Sequence, residues 1–257
     1  MSATRTALGI EWTKVRHSPV GLVTTLLLCL GTVAVTGASM ASVGAGGILA
    51  AKSEVFVGDG GWAGLLGLAG QVVAAGGLLG FGVMAGWLHG REFADGTVSA
   101  LFARPVSLRA VARAKLILYL LWAAAVAVAL TLGVLALGVG LALAGDEGFG
   151  AGGVARPALT LVGVTVLTAW LALPCAWVAT RSRGYLAAVG AAVGLVVLAQ
   201  LSVLLGAEGW FPFAAPGWWV SQAGAVGPAM VLQLLLVVPV AGAAAALTLR
   251  AWDRLSL

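Results

Sequence analysis

Charge is what this chain has least of. Only 9% of its residues are Asp, Glu, Lys or Arg, against about a quarter in a soluble domain. A water-soluble fold that poor in charge has nothing with which to cover its surface, so that class is excluded. Histidine is scarce too: His17 and His89 are too few for a histidine metal centre, and each stands beside the end of an apolar run. The two cysteines, Cys29 and Cys175, lie inside apolar runs and read as small buried hydrophobes, not as a disulfide or metal ligands. The chain has no G-x-x-x-x-G-K-[ST] phosphate loop, so it cannot supply ATP chemistry by that route. Nor does it have a Lys/Arg stripe interleaved with aromatics, so its net charge of +5 does not point to nucleic acid.

Hydrophobic residues make up 61% of the 257 positions. A membrane-crossing helix needs about 20 consecutive apolar residues, and a charge at its centre is costly. Trimmed at turn residues, the charge-free stretches predict spans near 20–40, 63–88, 116–143, 158–180, 185–206 and 227–249. The last charge-free stretch is too long for one helix. Its front, "WFPFAAPGWWVSQ", carries the Trp favoured at headgroup level and the Pro that breaks helices, and reads as an interfacial or re-entrant segment. The expectation is a single all-α transmembrane domain over 1–257. Three G-x-x-x-G pairs, Gly76/Gly80, Gly82/Gly86 and Gly190/Gly194, allow close helix approach, but among 38 glycines such pairs arise by chance. Pro174 and Pro239 are expected to kink spans four and six.

Of the 14 basic residues, all but Lys52 and Arg156 fall on one side of this six-span layout. The positive-inside rule makes that side cytoplasmic and places both termini there. The 19-residue leader includes Glu11 and runs into five further spans, so an uncleaved first helix is expected in place of a signal peptide. Within the leader, Leu8, Trp12 and Val15 form an apolar stripe. Lys14, Arg16 and Arg5 can snorkel around it, as in a helix lying along a membrane surface.

The polar stretch "HGREFADGTVSALFARPVSLRAVARAKLI", His89–Ile117, divides spans two and three. Asp95 is placed to cap a short helix starting at Gly96 or Thr97. Val98, Leu101 and Phe102 then share one apolar face, Pro105 ends the helix, and Ser107 caps the next one. A two-turn helix is unstable alone and needs something to pack against.

That stretch resembles the signature of type-2 ABC exporter permeases, with Glu92, Gly96, Thr97, Pro105, Val106, Ser107, Arg109 and Lys115 in matching order. Leu108 stands where the family usually has the arginine directly after Pro-Val-Ser. "EWTKVRHSP" (Glu11, Lys14, Arg16, Ser18, Pro19) resembles the family's entry into span one, and "WFPFAAP" its outer segment before the last span. The resemblance implies a permease subunit in the bacterial inner membrane, paired with a second permease copy or a homologue. Separate cytoplasmic ATPases would bind ATP and Mg, with no cofactor in this chain. By the same analogy, Glu92, Asp95, Val98, Leu101, Phe102, Arg104 and Arg109 would meet the ATPase, and the leader helix would share in receiving its motion.

No ionisable residue falls inside the six expected spans. Gln71, Gln200 and Gln233 are the polar candidates for a translocation path, although each glutamine also suits a hydrogen bond between helices. Such a lining fits an amphipathic or lipid-like cargo better than an ion. A non-transporting membrane anchor or immunity protein is the alternative, and a membrane-embedded enzyme built on His17, His89, Glu11 and Glu92 a more remote one.

Overall fold

The computed structural model describes residues 3–43, 60–102, 106–144, 148–149 and 153–255. Among these the regular structure is entirely helical: α1 (Ala3–Arg16), α2 (Pro19–Ser42), α3 (Gly61–Ala94), α4 (Val98–Phe102), α5 (Leu108–Leu143), α6 (Ala155–Arg181), α7 (Leu186–Leu204), α8 (Ala215–Ser221) and α9 (Pro228–Asp253). Six of them, α2, α3, α5, α6, α7 and α9, are long and apolar enough to cross a membrane. The all-α, six-span class expected from the sequence is what the chain adopts.

Helices α3 and α6 are the most buried spans and α7 the least. Phe81, Met84 and Leu88 of α3 meet Leu118 and Tyr119 of α5 and Leu171 and Cys175 of α6 in one core. Leu65, Leu66, Leu130, Val134, Leu161 and Val164 form a second. Two aromatic residues of the first core bond across helices, since lipid offers their polar atoms no partner. The Tyr119 hydroxyl donates to the Ala169 carbonyl at 2.7 Å, and the Trp122 indole N–H to Thr25 Oγ1 at 2.9 Å.

Lipid tails are as apolar as leucine, so helices in a membrane gain by close approach of small residues. Gly82, Gly86 and Gly90 form such a stripe on α3. A Cβ at Gly82 or Gly86 would stand 2.6 Å from the Cβ of Ala192 or Ala188 on α7, and one at Gly90 would meet the Gly184 backbone at 2.7 Å. Of the three G-x-x-x-G pairs, then, Gly82/Gly86 is a packing seam. Gly190 and Gly194 meet nothing within 4 Å, as does Gly76, while Gly80 lies against Leu28 of α2.

Proline effects fall slightly away from where the sequence suggests. In α6 the helix breaks at Ala172–Leu173 and restarts with Pro174 in its first turn. In α9 the break is at Leu236, not at Pro239 itself. Proline lacks the N–H that would bond the carbonyl four residues earlier, so the interruption sits upstream of the ring. Two π turns interrupt the regular pattern, Leu27–Gly31 in α2 and Val73–Gly77 in α3. Helix α8 is built from the Trp/Pro-rich segment and folds against the bundle. Gln71 donates to the Gly217 carbonyl at 3.2 Å, and Arg156 to that of Gly224 at 3.1 Å.

Filling the seam tests the fold. Gly86→Ala should lower stability by about 1–3 kcal/mol through overpacking, and Ala188→Gly in the same chain should restore most of it. Detergent-phase thermal unfolding measures both, and a Gly86→Ala chain as stable as wild type would contradict the α3–α7 packing.

Candidate functional site

The candidate site lies where the charged stretch meets the bundle. Helix α5 has 36 residues, which at about 1.5 Å each come to about 54 Å, well past the about 30 Å of hydrocarbon. Helix α3, at 34 residues, overshoots as well. Their protruding ends carry Glu92 and Lys115, and α1 lies across them bearing Glu11 and Lys14.

Lys115 is fully buried, Glu11 is 2% exposed and Glu92 3%. The Lys115 ammonium has three protons to give. It donates to Glu11 Oε2 at 2.9 Å, to Glu92 Oε1 and Oε2 at 2.8 and 3.0 Å, and to the Leu88 carbonyl at 2.7 Å. Lys14 Nζ closes the ring, donating to Glu92 Oε1 at 2.9 Å and also to Glu11 Oε1. Two ammonium groups and two carboxylates cancel, so the buried cluster has no net formal charge. The indole of Trp252 adds its face 5.7 Å from Lys115 Nζ, within cation–π range.

The members come from four elements. Glu11 and Lys14 stand on α1, Glu92 on α3, Lys115 on α5 and Trp252 on α9, and together they join one end of four helices. Serine at position 18 fixes the angle of α1. Its Oγ accepts from the N–H groups of Val20 and Gly21 at 3.1 and 3.4 Å, with Pro19 in the first turn of α2.

The face of α1 differs from the expected Leu8/Trp12/Val15 stripe. Ala7, Glu11 and Val15, spaced four apart, are buried and Leu8 is half-buried, while Trp12 is 52% exposed and Arg16 is also exposed. An apolar-stripe search passes over Glu11 because a charge on the inner face looks like a mismatch until its partner, 104 residues on, is known. Lys14 likewise turns inward to the two glutamates instead of snorkelling outward.

The short helix also departs from expectation. Asp95 caps the end of α3, and no hydrogen bond from its carboxylate to α4 occurs among the described residues. Gly96, at φ +67°, is the left-handed residue that closes α3, its N–H bonding the Phe93 carbonyl at 3.3 Å. Helix α4 follows at Val98–Phe102, and its apolar residues do not share one fate. Leu101 is buried against Val111, Ala112 and Trp252, with Phe93 and Val106 alongside. Phe102 is 37% exposed, Val98 is half-buried, and Thr97, Ser99 and Ala100 are exposed. The geometry is that of a peg, with Leu101 holding the helix on the bundle while the opposite side stays open. Ser107 caps α5 as the sequence suggests, its Oγ accepting from the Ala110 N–H at 3.2 Å. Arg109 pairs with Asp253 of α9 at 3.3 Å across an exposed surface. Arg104 and Pro105 lie outside the described residues.

Trp252 was not singled out by sequence, yet it is the joint between the two halves of this site. It is fully buried, covers Leu101, lies edge-on to Phe93 at 6.0 Å and donates to Thr180 Oγ1 at 3.0 Å. A lone Trp two residues past a basic residue, Arg250, at the end of a span was the available signal. Sequence logic would instead have put such a Trp at the membrane interface.

The three glutamines do not come together. Gln71 holds α8, Gln233 is buried with Oε1 close to Gly209, and Gln200 lies exposed on α7.

Chemically, the charge cluster is paired within itself and carries no net charge, which suits holding helices in register, not bond-making. The fold and this basic end define a multi-pass helical membrane protein. A family model described as "ABC-2 family transporter protein" matches residues 7–200, and the chain belongs to that family, whose members are membrane transport components and not catalysts. No curated protein matches the chain.

Charge balance in the cluster yields a direct test. Lys115→Met leaves two buried carboxylates facing Lys14 alone and should cost about 3–5 kcal/mol. Adding Glu92→Gln restores neutrality, so the double variant should be more stable than Lys115→Met by itself. Thermal unfolding in detergent reads both, and a Lys115→Met chain of wild-type stability would contradict the buried pairing.

Proposed function

We propose that this chain is the permease subunit of an ATP-driven ABC exporter in the bacterial cytoplasmic membrane. It would form the translocation path with a second permease, identical or homologous. Cytoplasmic ATPase subunits carrying ATP and Mg would sit beneath α4 and α1. Family membership supports the permease role. The observation that carries the coupling is α4 itself, pegged to the bundle through Leu101 while Phe102 and the polar residues around it stay open. A push on α4 would pass through Leu101 to Trp252 and Phe93, and from there to the cluster that joins α1, α3 and α5. Both termini and α4 would then lie in the cytoplasm, as the distribution of basic residues requires, with α1 along the inner membrane surface.

Phe102 is therefore the residue to change. Phe102→Asp should leave the chain inserted and monodisperse, yet purify from its membrane with at least about ten-fold less ATP-hydrolysing subunit, the scale of one central interface anchor. Full retention of that subunit and of its ATP turnover would reject the coupling assignment. Orientation has its own readout. Ser99→Cys, in a chain with Cys29 and Cys175 replaced by Ala, should react in intact cells only with membrane-permeant thiol reagents. Labelling by an impermeant reagent from outside would reverse the topology.

A further inference from the structure

Beside the site just described, at the same basic end of the bundle, a cavity of about 490 Å³ opens between the last turns of α6 and α9. Its wall contains Arg181, Arg183, Arg250 and Arg254 and no carboxylate. Helix C-termini and the positive-inside rule each explain an arginine at such a place. They do not explain four arginines converging on one cavity without a counter-ion. Asp253, the acid adjacent in sequence, is turned away to Arg109, and none of the four makes an ion pair among the described residues. Arg183 stands in the left-handed turn that ends α6. Arg183 holds a φ of +53°, a left-handed conformation that costs a non-glycine residue. Gly184 N–H bonds the Ala179 carbonyl at 3.0 Å, and Ser182 Oγ donates to the carbonyl of Val178 at 2.9 Å.

The rest of the lining is amphipathic. Trp177 is half-buried and Leu247 is 40% exposed, beside the polar arginine heads. Ala243, one turn back from Leu247 on α9, is exposed too, so an apolar track leads out of the cavity along the span. Guanidinium groups match phosphate oxygens in a planar, two-pronged geometry, and basic pockets between membrane helices suit phospholipid headgroups.

We propose that this cavity is a binding site for the phosphate headgroup of an anionic phospholipid, with the acyl chains following Leu247 and Ala243 up α9. A headgroup with two phosphates engages all four arginines best. Bound lipid would neutralise the charge gathered where α6 and α9 end, one helix turn from Trp252, and would brace that joint. The inference needs the membrane setting of the family but not the exporter role, so it can fail or stand independently of that role.

The purified full chain, stripped of lipid in detergent, is titrated with cardiolipin, phosphatidylglycerol, phosphatidylcholine or inorganic pyrophosphate and read by native mass spectrometry. Cardiolipin should bind at least about ten-fold more tightly than phosphatidylcholine. Arg183→Gln/Arg254→Gln should lose at least about ten-fold of that affinity, with phosphatidylcholine binding unchanged. Should that variant fail to purify as one species, Arg183→Lys/Arg254→Lys keeps the charge but loses the two-pronged geometry, and should weaken cardiolipin binding about three-fold or more. Unchanged cardiolipin binding in whichever variant purifies overturns the proposal. Displacement of cardiolipin by pyrophosphate at equal concentration would make this a site for soluble phosphates, and also overturns it. So does a variant that keeps its lipid but sheds ATPase subunits, which would make the surface a protein contact.

Discussion

Lys115 cannot be left alone. A lysine with no exposed surface must find carboxylates, and an isolated ammonium in so dry a place would cost several kcal/mol. Its two acids come from helices far apart in the chain, Glu92 at the end of α3 and Glu11 in the middle of α1, so satisfying one side chain fixes where three helices meet. Apolar side chains of similar volume can match a buried ion pair in energy, but removing one partner alone leaves a buried charge uncompensated. The remaining features of this end of the bundle follow. Ser18 sets the corner that brings α1 across, Gly96 turns the chain out of α3, and Trp252 closes the last open side of the lysine.

Within the proposed permease, this arrangement separates two mechanical roles. Helix α4 is a small external element with one internal anchor, Leu101. The cluster is an internal element in which Lys115, Glu11 and Glu92 are buried and only Lys14 reaches the surface. Force applied to the first would arrive at the second without an intervening flexible side chain, since Leu101, Trp252 and Phe93 are in contact and buried or half-buried. At the opposite end, α8 is held by packing of Val220 and Trp219 and by one hydrogen bond from Gln71, with no ion pair among the described residues.

The sequence made the fold class and the six apolar helices legible, because charge-free runs have no alternative explanation at such low charge content. Ser107 as a helix cap was readable as well, since capping is a local rule. Long-range pairing was not. Glu11 and Lys115 each look like surface charges in their own neighbourhoods, and nothing local says that 104 residues of chain bring them together. The only hint was that Glu11, Glu92 and Lys115 all stand on the same, basic side of the six expected spans. Leu101 and Phe102, adjacent on a five-residue helix, could not be assigned to inner and outer sides without knowing that Trp252 covers one of them. Gly82/Gly86 was visible but indistinguishable from chance until Ala188 and Ala192 were seen opposite.

The central claim is that the buried cluster, more than contact with lipid, holds α1 on the bundle. Amide hydrogen exchange of the purified chain, comparing wild type with Glu11→Gln, reads this directly, with α7 as the internal reference because it supplies no hydrogen bond or ion pair to the cluster. The account predicts that backbone amides over Ala7–Val15 exchange at least about ten-fold faster in the variant while those of α7 do not change. Equal protection of α1 in the two proteins would contradict it.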